Sequence, residues 1–107
     1  YGSVRFGPGK AELLERIRDS GSISAARRDM GMSYKRAWML VEEMNTAFRT
    51  PLVDSTRGGA HGGGARLTEA GAAVLAHYRR VVAQAERAGA QDIDAIAAML
   101  SDIPDEK

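Results

Sequence analysis

The chain has 107 residues, of which 44% are hydrophobic and 27% charged, a composition that fits one globular domain and excludes disorder along its whole length. It has no cysteine, which excludes disulfides, thiolate metal sites and cysteine nucleophiles. No apolar run approaches the roughly 20 residues that span a bilayer, and no charged-then-apolar leader opens the chain, so the expected partner is not a membrane and the expected location is the cytoplasm. The net charge of +1 conceals a gradient: Arg27 to Arg66 carries seven Lys/Arg against four acids, whereas from Gln91 onward five acids face only Lys107. A basic middle and an acidic tail are what a nucleic-acid face would leave in a sequence, although a charge cluster alone is more often a solvated surface.

Val4 to Phe6 alternates in the manner of a short edge strand. A first helix is expected over residues 8–20, opened by Pro8, patterned by Leu13, Leu14 and Ile17, and stopped by Gly21. Ser22 or Ser24 can cap a short second helix that turns Ala25, Ala26 and Met30 inward and ends at Gly31. Ser33 offers the next N-cap, and a third helix is expected from Tyr34 to Phe48. Its apolar face is Ala37, Val41, Met44 and Phe48, and its other face carries Tyr34, Lys35, Glu42 and Asn45. Pro51 stops it.

Leu52–Ser55 and Ala65–Leu67 then flank a glycine-rich stretch, which reads as a β-hairpin with a long tip. Thr68, Glu69 and Ala70 open a long helix to Ala88, with Leu75, Tyr78 and Val82 along one stripe. Ile93–Leu100 forms one more short helix before an acidic end. The expected fold class is therefore mainly α with a small β-hairpin. It is a winged helix-turn-helix over residues 1–67, followed by a dimerisation helix and tail over 68–107.

The informative order is helix, tight glycine turn, helix, hairpin, helix. Small residues at Ala25 and Ala26 let two helices cross closely, and the Gly31 turn projects the start of the next helix outward, toward a major groove about 12 Å wide. That start is Ser33, Tyr34, Lys35 and Arg36, whose hydroxyls, ring and cations suit phosphates and base edges. The hairpin adds Arg57 and Arg66 with His61 at its tip, a wing able to lie along a DNA backbone. Arg27 and Arg28 on the preceding helix add phosphate attraction.

The run Gly21-Ser-Ile-Ser-Ala-Ala-Arg-Arg-Asp-Met-Gly-Met-Ser-Tyr-Lys-Arg-Ala-Trp38 carries a closer likeness. With Glu43-Met-Asn45, Pro51-Leu-Val53, the split glycine loop and Leu67-Thr-Glu-Ala-Gly71, it resembles the N-terminal domain of the ModE family of molybdate-responsive transcriptional regulators. That domain is itself similar to the LysR-type winged helix. The resemblance covers roughly Gly2 to Leu100. It implies that Ser33–Arg36 lie on the recognition helix, Arg57–Gly64 on the wing, and the last long helix on the dimer interface. Family members usually continue into two small β-rich domains that bind molybdate or tungstate. The molybdate-binding domains are absent from this chain, so a sensing role is not carried over with the resemblance. The chain is then either a one-domain relative or an excised domain.

The expected partner is a palindromic duplex bound by a homodimer joined through Leu75, Tyr78, Val82, Ile93, Ile96 and Leu100. Ser33, Tyr34 and Arg36 are the candidates for base-edge contact. Trp38 beside Ala37 and Val41 reads as core, as do Met30, Met32, Met39 and Met44 at helical spacing. His61 and His77 are too far apart and unaccompanied to read as a metal site, and His77 suits a surface or interface. The glycine loop lacks the Gly-Lys-Ser/Thr end of a phosphate-binding loop. No catalytic set stands out, so neither an enzyme nor a cofactor is expected. Two alternatives remain at this level: a winged-helix module that docks protein through Trp38 and Tyr34, and an oxyanion held by the glycine loop.

Overall fold

The computed structural model describes residues 5–56 and 64–101. In chain order, α1 (Pro8–Ser20), α2 (Ile23–Met30) and α3 (Tyr34–Ala47) precede β1 (Val53–Ser55) and β2 (Ala65–Leu67), and α4 (Glu69–Ala88) and α5 (Ala90–Ala98) follow. The expected mainly helical class with one hairpin is what forms.

Each helix boundary has a local chemical cause. Pro8 starts α1, where a missing N–H is harmless, and Gly21 at φ 73° ends it by donating its N–H to Ile17. Ser22 caps α2 by accepting from Ala25 N–H, so of the two candidate serines it is the cap. Gly31 at φ 70° reverses the chain, with Met32 N–H returning to the Arg27 carbonyl. Ser33 and Thr68 cap α3 and α4 in the same way, through Arg36 N–H and Gly71 N–H.

One core serves α1 to the first half of α4. Leu13, Leu14 and Ile17 of α1, Ala26 of α2, Ala37, Val41 and Met44 of α3, Leu52 and Val53 at the hairpin and Leu75 of α4 are all buried. Ala26 and Ala37 are fully enclosed where α2 meets α3, as small residues at a close crossing should be. The hairpin pairs antiparallel, Val53 with Leu67, Asp54 with Arg66 and Ser55 with Ala65. Its inner strand is anchored from the other side too, because Ala65 N–H donates to the Gly21 carbonyl in the α1–α2 turn. β2 is thereby tied to the α1–α2 turn.

Three expectations are corrected. Phe6 lies in no strand; its ring packs edge-on between Phe48, 6.3 Å away, and Tyr78, 5.2 Å away, because aromatic burial at the α3–α4 seam offers more than an unpaired edge. Asn45 does not sit on the outer face of α3. Its amide oxygen accepts from Leu52 and Val53 N–H and its Nδ2 donates to the Val53 carbonyl. Met39 is not core but 56% exposed.

The radius of gyration, 17.3 Å, exceeds the roughly 13 Å of a compact chain of this length. The excess comes from the far half of α4 and from α5, which run clear of the core: no residue of α5 is buried.

Candidate nucleic-acid interface

Ser33 to Arg36 form the outward-facing start of α3, and all four are exposed. The Ser33 hydroxyl oxygen is engaged in capping, which leaves its hydrogen free to donate outward. Tyr34 is 51% exposed and meets the half-buried Trp38 edge-on at 6.1 Å. Trp38 packs against the core, so the ring pair holds the Tyr34 hydroxyl at the surface on a rigid base.

Ion pairing is distributed unequally among the helices. The cations of α1 are neutralised: Arg16 pairs with Glu12 and reaches Asp29, Arg18 pairs with Glu15 and Asp19, and Arg79 from α4 closes on Glu15. The Arg18 side-chain hydrogen bond raises the arginine pKa and lowers that of the Asp19 carboxyl. Lys10 is held by Glu43. On the helix-turn-helix the pattern reverses. Arg27, Arg28, Lys35 and Arg36 make no ion pair with any described carboxylate, and Arg28 is only tethered to Ser24 by a 3.2 Å hydrogen bond. Unpaired guanidinium and ammonium groups at a helix start leave a positive potential there, to which the free N–H groups of the first turn add. Arg27 is half-buried and its Nε is enclosed without a hydrogen-bond partner.

On the wing, Arg66 is 83% exposed at its side chain and lies 3.9 Å from Asp54, too loosely paired in water to be neutralised by it. Arg57 and His61 lie outside the described residues. Arg66, Ser33–Arg36 and Arg28 are thus presented by three different elements, which the Ala65–Gly21 hydrogen bond and the shared core hold together.

The residues expected at a dimer interface divide into two groups. Leu75 is buried in the chain's own core and Tyr78 packs on Phe6, so both serve the fold of the single chain. Val82 is half-buried, while Ile93, Ile96 and Leu100 are 48%, 63% and 68% exposed, with Val81 and Met99 exposed beside them. His77 is exposed, and its Nδ1 accepts a 3.0 Å hydrogen bond from Arg80 Nη2.

Two residues that organise this surface were not singled out by pattern. Asn45 fixes α3 to β1, and its position four residues after Val41 and three before Phe48 is a core-facing spacing that its polarity disguised. Gly71 lets the first turn of α4 lie on the Leu52 carbonyl, and the signal was a glycine where a helix gains nothing from one. Among the described residues no group of three His, Asp or Glu could hold a metal, and no helix is long and apolar enough to cross a membrane.

Comparison with known proteins agrees with this geometry. The chain is 46% identical over 77 residues to the molybdenum-pterin-binding protein MopA of Rhodobacter capsulatus, covering 72% of this chain and 29% of MopA. It is 44% identical over 71 residues to the DNA-binding transcriptional dual regulator ModE of Escherichia coli K12, covering 66% of this chain and 27% of ModE. It therefore spans less than a third of the length of these relatives. Among solved structures, the CbnR DNA-binding domain in complex with DNA superposes with a TM-score of 0.61 at 20% identity, covering 82% of this chain and 95% of that one. This likeness establishes the winged-helix fold. The model for bacterial regulatory helix-turn-helix proteins of the lysR family matches residues 9–72, the span from α1 into the first turn of α4. The chain belongs to the lysR family of bacterial regulatory helix-turn-helix proteins.

Proposed function

We propose that the chain binds duplex DNA as the DNA-binding part of a sequence-specific transcriptional regulator linked to molybdenum metabolism. The observation that carries this reading is the set of unpaired cations at the helix-turn-helix, beside an α1 whose own cations are neutralised. Lys35, Arg27, Arg28, Arg57 and Arg66 act on phosphates, and Ser33, Tyr34 and Arg36 read base edges. His61 is a further backbone contact. The link to molybdenum rests on the likeness to MopA and ModE.

The bound form is a homodimer on an inverted repeat. Its interface is the exposed apolar set Val81, Ile93, Ile96, Met99 and Leu100, with Val82, since exposed apolar side chains gathered on two successive helices that run clear of the core suit an association face. Two recognition helices then meet half-sites about one helical turn, or a multiple of it, apart.

The test is fluorescence anisotropy of the protein on random duplexes and on duplexes recovered from a random pool, over a salt series, with and without molybdate. Selective binding whose affinity falls steeply with salt supports the reading, because each phosphate contact contributes about −0.9 to the log–log slope. Equal, weak affinity for every duplex at moderate salt contradicts it. A change on adding molybdate would place a sensor in this chain itself.

A further inference from the structure

The large exposed hydrophobic side chains of the described residues fall in two places. Val81, Ile93, Ile96, Met99 and Leu100 lie on α4 and α5, where a second copy accounts for them. The other two, Tyr34 and Met39, lie on the first half of α3, within the unit that faces DNA. Tyr34 has a polar end and a supporting ring behind it. Met39 has neither. It is 56% exposed, and nothing in the core requires it, since α3 buries Ala37, Val41 and Met44 on the opposite side.

Met39 follows Lys35 by one helical turn and Arg36 by three residues, so it shares their outward face. It stands five residues from the first residue of α3, about 7.5 Å along the axis, within the first half of the helix that carries Lys35 and Arg36. A thioether chain there has no hydrogen-bond role to play with base edges. The apolar feature that the major groove offers is the C5-methyl of thymine. A flexible, polarizable side chain is well suited to cover it.

We infer that Met39 is a specificity-determining residue that packs on the C5-methyl of a thymine in each half-site. The inference rests on the DNA-binding reading above and adds to it a base preference carried by an apolar contact. Lys35 and Arg36 hold the helix in the groove, and Met39 favours thymine over cytosine or uracil at one position by excluding water from its methyl group.

The experiment uses a duplex recovered from a random pool by the wild-type protein, with each thymine replaced singly by deoxyuridine, which removes only the methyl. Wild-type protein should lose about fourfold in affinity at one thymine, the worth of one buried methyl group, and about fifteenfold when both symmetric half-sites are changed. Met39→Ala should bind the thymine and deoxyuridine duplexes equally, with its melting temperature and salt slope unchanged. Met39→Leu should restore the discrimination. Met39 also borders a shallow groove reaching back to Phe6 and Phe48. If that is its role, Met39→Ala lowers the melting temperature and keeps the wild-type response to deoxyuridine, which overturns the inference. A wild-type protein indifferent to deoxyuridine at every position overturns it as well. Failure of the wild-type protein to select any duplex removes the DNA-binding reading along with it.

Discussion

Gly71, in the first turn of α4, lies against the backbone of Leu52 so closely that a methyl group there would overlap the Leu52 carbonyl oxygen and stand 3.0 Å from its carbon. The same carbonyl accepts from Thr68 N–H at 2.9 Å, and the Thr68 hydroxyl donates to the Pro51 carbonyl at 2.7 Å. The start of α4 is therefore docked on the strand that begins the wing. Because backbone is on both sides of the contact, neither can yield without moving an element.

Gly71→Ala should destabilise the protein by about 1–3 kcal/mol through overpacking, although helix propensity alone favours alanine by about 1 kcal/mol. Urea denaturation followed by circular dichroism gives the difference. A variant as stable as the wild type, or more so, would mean that the α4–Leu52 contact is looser than described.

Asn45→Ala removes the partners of Leu52 N–H, Val53 N–H and the Val53 carbonyl together. A loss of about 2–3 kcal/mol is expected, since buried backbone groups left unpaired are more costly than the net worth of the bonds. Asn45→Asp retains the two acceptor contacts and loses the donor, so its loss should be smaller. Hydrogen exchange at Leu52 and Val53 should accelerate in the alanine variant, well before α1 is affected.

Ile96→Asp, alone or with Leu100→Asp, should leave the monomer folded, because neither side chain touches the core, and should shift sedimentation from dimer to monomer. Leu75→Ala should do the reverse: about 2–5 kcal/mol of stability lost to a core cavity, with no direct effect on association. Wild-type protein that sediments as a monomer at every concentration would remove α5 as the interface.

Much of the fold was legible because its punctuation is chemical. Pro8, Gly21, Ser22, Gly31, Ser33 and Thr68 each mark a boundary by a backbone need that few other residues meet, and all of them fall at helix ends. Three-dimensional dependence hid the remainder. Asn45 looked like a surface residue because its partners are seven and eight residues away, across a turn. Leu75 and Tyr78 shared a stripe with Val82, and periodicity alone does not tell a stripe that meets its own core from one that meets a second chain. The reading of α3 as the outward-facing element came from its N-cap and cations, but the pairing of α1's cations with Glu12, Glu15 and Asp19, beside the unpaired Arg27, Arg28, Lys35 and Arg36 of α2 and α3, emerges only in space.

The most direct test of that charge arrangement compares two double variants that remove equal charge. Lys35→Ala with Arg36→Ala deletes unpaired cations from the start of α3, while Arg16→Ala with Arg18→Ala deletes paired ones from α1. Anisotropy against one duplex over a salt series should show the first pair weakening binding by at least tenfold at low salt and flattening the log–log slope by about 1–2 per protomer, with the second pair close to wild type. Equal effects of the two pairs would mean that binding follows net charge alone, and that the helix-turn-helix face is not where DNA is held.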